Sequence, residues 1–224
     1  MFQRKTPKSQ QIDKTMFTYH PVFTNKELPK LPEKFTVVSI DPAITNFGFR
    51  IEQRNSNGII TMIQYCRVNF TVKDETEGIA GIYARITDFL DKYQADYKKV
   101  DLILIERQLP FNYKAVRVSQ HVITYFIMLY KNIINQEATI VEVDAKLKTK
   151  ALCAPKGLND REIKMWAVEE ATRLLNKRKD DASLKILTKE RKKDDLADTV
   201  CQIEAFCVVQ GLPLTKELTT ITIN

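Results

Sequence analysis

Phe35-Thr-Val-Val-Ser-Ile-Asp41-Pro42 is the stretch on which the reading of the fold turns. Six β-favouring residues in a row, stopped by an acid and a proline, describe a strand with a carboxylate at its C-terminal end. A second run, Val100-Asp-Leu-Ile-Leu-Ile-Glu106, repeats the pattern: nearly unbroken apolar positions, as in a strand covered on both faces, closed by an acid. Between them, Asn46 to Arg54 and Ile59 to Phe70 read as two further strands, with the turn between them at Asn55 to Gly58. Asp74 with Glu77 suggests a capping box, and Ile79, Ile82, Tyr83, Ile86, Phe89, Leu90 and Tyr93 carry helical spacing. After Glu106 the pattern predicts a helix over Tyr113 to Asn135, a strand over Thr139 to Val143 and a basic loop. A helix from Asn159 to Asn176, a Lys-rich connection and a last helix from Asp194 to Gln210 follow. The order βββαβαβαα describes an α/β domain: a mixed five-stranded sheet, three antiparallel strands then two parallel, with helices on both faces.

This domain is expected to span residues 35–210. Residues 1–34 are polar, hold Pro21, Pro29 and Pro32 and lack periodicity, so they read as a flexible arm; residues 211–224 read as a tail. A chain of 224 residues leaves little room for a second full domain. No apolar run approaches the ~18 residues of a membrane span, and no apolar segment marks a secretory signal. An intracellular setting is therefore expected, with cytoplasmic viral factory, nucleus and mitochondrion fitting equally. The four cysteines form no C-x-x-C pair and the histidines are His20 and His121, which disfavours zinc. A catalytic metal would have to rest on carboxylates.

The net charge of +7 is regional. Residues 144–193 hold 15 Lys and Arg against 8 Asp and Glu, whereas residues 194–224 hold 1 against 5. A basic block beside acids suits an enzyme acting on polyanions, although Lys-rich segments also serve solubility alone.

Asp41, Glu106 and the Asp194, Asp195, Asp198 group are the candidate metal ligands. In an open mixed sheet the ends of neighbouring strands and a helix over them can converge on one cleft. Two Mg²⁺ ions about 4 Å apart can activate a water and stabilise the leaving oxygen of a phosphodiester, and Mg²⁺ accepts an all-oxygen donor set. Each acid also has a structural reading: Asp before Pro forms turns, and acids in a first helical turn meet the helix dipole. Spacing admits both Asp195 with Asp198 and Asp194 with Asp198 as the pair on one helical face.

Asp41-Pro42-x-x-x-Asn46-x-Gly48, Ile105-Glu106 and Asp195-x-x-Asp198 together resemble the RuvC-like Holliday junction resolvases, and more the viral (poxvirus-type) and fungal mitochondrial branches than the bacterial one, over residues 35–210. Ala43 departs from the glycine usual in the bacterial branch. The resemblance implies a ribonuclease H-like fold, a homodimer, Mg²⁺ as cofactor with Mn²⁺ substituting, and paired symmetric nicks in four-way DNA junctions. It implies Asp41, Glu106, Asp195 and Asp198 as catalytic metal ligands and leaves Asp194 as helix cap. It also implies a lysine and a further basic residue near the scissile phosphate, for which Lys148 and Arg161 match best, with Lys146 and Lys150 as rivals.

Phe111 and Tyr113, set among Arg107, Lys114 and Arg117, are candidates for stacking on splayed bases unless both rings pack under the helix; Lys192 and Lys193 are candidate phosphate contacts. The apolar helix around Val122, Ile123, Phe126, Ile127 and Tyr130 is a candidate dimer interface, though a core helix has the same pattern. Alternatives are another ribonuclease H-like nuclease or a transposase, or a DNA-binding protein without catalysis.

Overall fold

Alternation along the strands sorts the core into two faces. The computed structural model describes residues 17–20, 30–73, 76, 78–134 and 138–212. Its strands are β1 (Phe17–His20), β2 (Lys34–Asp41), β3 (Phe47–Asn55), β4 (Ile60–Val68), β5 (Leu102–Arg107) and β6 (Ala138–Asp144), in the sheet order β1-β6-β5-β2-β3-β4. The pairs β2/β3 and β3/β4 are antiparallel, whereas β2/β5 and β5/β6 are parallel. This is the expected meander followed by parallel strands. A sixth strand is added by Phe17–His20, within the stretch expected to be an arm, which pairs in parallel with β6. Four residues at a sheet edge carry too little periodicity to be read locally.

Val38, Ile40, Phe49, Ile51, Ile103 and Ile105 point to one face. There they meet α1 (Gly78–Asp91), the short α2 (Gln94–Tyr97) and α3 (Tyr113–Leu129, continued as a π-helical turn through Ile134). Val122, Phe126 and Tyr130 are fully buried in this core and Ile123 is 9% exposed, so the expected dimer face of this helix is instead its core face. The periodicity marked an apolar stripe correctly and left its partner open. The Asp74 and Glu77 capping box lies outside the described residues.

Phe35, Val37, Leu102, Leu104, Val141 and Val143 point to the opposite face and pack on α7 (Asp194–Gln210). The connections were expected to be irregular, but each holds a helix: α4 (Leu147–Ala151) in the basic loop and α6 (Asp181–Lys189) in the Lys-rich connection. Ser183 and Leu187 of α6 are buried while its lysines face outward, so the lysines hid a short amphipathic helix. Between them lies α5 (Asp160–Arg178), which starts at a capping box: Asn159 accepts from the Arg161 and Glu162 backbone N–H groups, and Glu162 accepts from the Asn159 N–H.

On this second face β3 presents Arg50, Glu52 and Arg54, all fully buried. Glu52 accepts from Arg50 Nε at 2.6 Å, Arg54 Nε at 2.7 Å and Arg178 Nη1 at 3.2 Å. Glu204 of α7 accepts from Arg54 at 2.8 Å and Arg178 at 2.9 Å, and Asp180, which caps α6, accepts from Arg50 at 3.2 Å. The Arg50 guanidinium also lies 4.7 Å from the Tyr65 ring centroid. Three guanidiniums against three carboxylates tie α5, α6 and α7 to one strand. Burial raises the cost of the Glu52 charge, yet Arg54, Arg178 and Arg50 outweigh it and hold its carboxyl well below the usual range.

Candidate active site

Register brings the two strand-end acids together. Ile40 of β2 lies beside Ile105 of β5, so Asp41 and Glu106 are neighbours one residue further along, both on the α7 face by alternation. Helix α7 is anchored over them: Gln202 donates to Ser39 Oγ at 3.1 Å and to the Leu104 carbonyl at 3.2 Å. Asp198 lies one turn before Gln202, toward the strand ends. Opposite Asp41 on β3 is Gly48, where a Cβ would stand 2.5 Å from the Asp195 carbonyl oxygen and 3.0 Å from Thr199 Cγ2. A side chain at this position would therefore push the first turn of α7 off the sheet. Asn46 plays a different part, accepting from Arg67 at 3.0 Å while Arg67 pairs with Glu190.

Lys148 of α4 is the cation of this cluster. Its Nζ lies 2.7 Å from Glu106 Oε2 and 2.7 Å from Asp198 Oδ2, with 8% of the side chain exposed. Burial opposes the ammonium charge, but Asp198, Glu106 and Asp41 outweigh it and hold Lys148 above its usual range. Of the three lysines expected in this region, Lys146 and Lys150 are exposed and Lys148 is turned inward. Burial, followed by the charges of Glu106 and Asp198, pushes Asp41 well above the usual carboxylate range. Asp198 is also raised by burial, which Lys148 partly offsets.

Asp195 and Asp194 part company at the start of α7. Burial, then the charge of Asp194, pushes the Asp195 carboxyl up to about 6, and its Oδ2 is buried with no hydrogen-bond partner among the described residues. Asp194 was expected to cap the helix. Lys193 holds that position instead, and Asp194 is the first helical residue, its carboxylate 3.0 Å from Lys164 Nζ. The Lys164 hydrogen bond, working against burial, keeps the Asp194 carboxyl below its usual range.

The donors fit a hard divalent cation. Asp41, Glu106, Asp195 and Asp198 offer oxygen only, they are short of positive charge, and one buried oxygen lacks a partner. Among the described residues no three acids, histidines or cysteines form a ready-made metal cage. Instead Lys148 sits between two of the acids.

The residues expected to contact DNA are mostly exposed. Phe111 is 81% and Tyr113 61% exposed, on the loop leaving β5 and the first turn of α3, so neither ring packs under the helix. Lys114, Arg161 and Lys192 are exposed and Lys193 is half-buried. A cavity of about 400 Å³ beside Asp194 is lined by Arg161, Lys164, Arg191 and Lys193 together with Met165. Arg191 and Lys164 had not been singled out from the sequence, where neither stands out from the other basic residues of the block. The buried Arg50, Glu52 and Arg54 group was missed too; its signal was Glu204, a lone charge among apolar residues of the last helix.

No family model matches the chain. Uncharacterized protein 97L of Invertebrate iridescent virus 3 is 32% identical over 122 residues, which are 54% of this chain and 55% of that protein, so the chain spans about half the length of the curated relative it matches. Among solved structures, the yeast mitochondrial Holliday junction resolvase Ydc2 superposes with a TM-score of 0.55 at 18% identity, covering 78% of this chain and 80% of that one. RuvC of Thermus thermophilus reaches 0.48 at 17% identity, covering 81% and 100%. The likeness to Ydc2 shows a shared α/β fold. Among the described residues no helix is long and apolar enough to cross a membrane.

Proposed function

We propose that the protein is a metal-dependent endonuclease that resolves four-way DNA junctions by paired, symmetric nicks. The carrying observation is the convergence of Asp41, Glu106 and Asp198, from two adjacent strand ends and one helix, on the buried Lys148 ammonium. The fold shared with the Ydc2 resolvase supports the junction as substrate. Asp41, Glu106, Asp195 and Asp198 would hold Mg²⁺, with Mn²⁺ able to replace it. A bound pair of such ions supplies an activated water and stabilisation of the leaving oxygen.

The chain's own residues do the rest. Lys148 holds the scissile phosphate and offsets its growing negative charge. Phe111 and Tyr113 stack on bases splayed at the branch, each contact contributing roughly 1–3 kcal/mol. Lys114, Lys146, Lys150, Arg161, Lys192 and Lys193 follow the phosphate backbone, so affinity falls steeply with salt. Two nicks related by the two-fold axis of a junction call for two sites related by the same axis, hence a homodimer.

The test is incubation with Mg²⁺ and end-labelled four-way junctions, linear duplex and RNA–DNA hybrid, followed by nick mapping. Paired nicks confined to the junction are expected. Cleavage of hybrid alone would indicate a different ribonuclease H-like activity, and binding without cleavage a non-catalytic DNA-binding protein.

A further inference from the structure

Lys148 fills the space that a metal at Glu106 and Asp198 would need. Its Nζ lies 2.7 Å from one oxygen of each acid, inside a buried cluster. An ammonium and a divalent cation compete for the same oxygens, and once a metal holds both acids the buried ammonium is repelled and needs another anion. Lys148 sits on the five-residue helix α4, flanked by Lys146 at the N-cap position and Lys150 within the helix, both exposed. The element that carries the buried ammonium therefore also presents two cations to any polyanion outside. Glu106 and Asp198 are joined through the Lys148 ammonium in the free protein.

We propose that Lys148 is a displaceable internal cation that gates metal loading: it neutralises Glu106 and Asp198 in the free protein and gives them up when a DNA phosphate takes its ammonium. Metal and DNA then bind cooperatively, because each favours the same displaced state of Lys148, and the coupling is reciprocal. A free protein gated in this way holds metal poorly and is guarded against hydrolysing DNA that does not reach the centre. The inference rests on the metal-dependent nuclease reading above and adds to it an order of assembly.

The experiment is calorimetric titration of the full chain with Ca²⁺, which takes oxygen ligands without the strict Mg²⁺ geometry and so supports little cleavage. Wild type and Lys148→Met are titrated alone and saturated with a four-way junction, with the junction alone as blank. Without DNA, Lys148→Met should bind Ca²⁺ between about 5- and 150-fold more tightly than wild type, the usual range of coupling between sites. The junction should tighten Ca²⁺ binding to wild type by a similar factor and leave that of Lys148→Met unchanged. Mg²⁺ should also raise the melting temperature of DNA-free Lys148→Met more than that of wild type.

Equal or weaker Ca²⁺ binding by Lys148→Met would overturn the gate. So would a wild-type affinity indifferent to the junction, a result that needs no variant and stands even if Lys148→Met fails to fold. Absence of Ca²⁺ binding in every arm would overturn the metal reading of the site together with the gate, whereas equal affinities in all arms would overturn the gate alone.

Discussion

Two charged clusters are buried on the same face of the sheet, and their charges balance differently. Under α5, α6 and α7, Arg50, Arg54 and Arg178 meet Glu52, Glu204 and Asp180, three against three, each acid within 3.2 Å of a guanidinium. At the strand ends Lys148 is the one ammonium against Asp41, Glu106 and Asp198, and Asp195 beside them has a buried oxygen with no hydrogen-bond partner among the described residues. The first cluster satisfies itself. Breaking it leaves a buried charge without a partner, and nothing in it calls for a ligand. The second keeps an excess of negative charge in a desolvated place, a standing cost that a cation relieves. Burial of charge alone therefore does not mark a functional site in this fold; the imbalance does.

The largest expected effect comes from the unbalanced cluster. Asp41→Asn and Asp198→Asn should each abolish junction cleavage in single-turnover assays while gel-shift affinity persists. Asp41→Asn should in addition raise the melting temperature without metal, because burial, then the charges of Glu106 and Asp198, hold the Asp41 carboxyl well above its usual range, which costs the fold stability at neutral pH. A fall in melting temperature with unchanged cleavage would place Asp41 with the structural acids and erase the contrast.

Glu52→Gln should do the reverse, leaving the chemistry intact in protein that remains folded but costing about 3–5 kcal/mol in urea unfolding, since three guanidiniums lose their shared partner. The sign with pH follows from a carboxyl held below its usual range. Its stabilisation is complete above the unfolded Glu pKa of about 4.3 and is lost as pH falls from there toward the lower folded value. The gap between wild type and Glu52→Gln should accordingly be constant from pH 6 to 8, values at which roughly all glutamates of the unfolded chain are ionised, and narrow in acid.

Gly48→Ala tests how closely α7 must approach. With its Cβ 2.5 Å from the Asp195 carbonyl, the helix must shift, at a cost of about 1–3 kcal/mol, carrying Asp195 and Asp198 with it. Cleavage should fall more than stability. The smallest effect is expected of Asp194→Asn, which removes a partly exposed pair with Lys164 worth at most about 1 kcal/mol and leaves the four clustered acids in place. Loss of cleavage in Asp194→Asn with near-normal rates in Asp195→Asn would mean that the other face of α7 supplies the ligands.

The strand-end acids were legible because Asp41 and Glu106 each close an apolar run, a local pattern that also fixed both parallel strands. Other features depended on partners distant in sequence. Phe17–His20 is a strand only because β6 offers an edge, and α6 lies within a run of lysines that conceals Ser183 and Leu187. Val122 and Phe126 mark an apolar face without saying whether a sheet or a second chain covers it. Arg50, Glu52 and Arg54 alternate as an exposed strand face also would, and only the covering helices turn them into a core network. Lys148 was preferred to Lys146 and Lys150 on the resemblance alone, and that it is the one of the three turned inward depends on the fold of α4.

Glu106 carries the central claim most directly, since its carboxylate joins a strand end to Lys148 and is neither turn former nor helix cap. Single-turnover nicking of a labelled four-way junction by Glu106→Gln in Mg²⁺, beside gel-shift binding of the same protein, is the measurement. The account predicts paired nicks by wild type and no nicks by Glu106→Gln, with junction affinity retained. Full nicking by Glu106→Gln would contradict it.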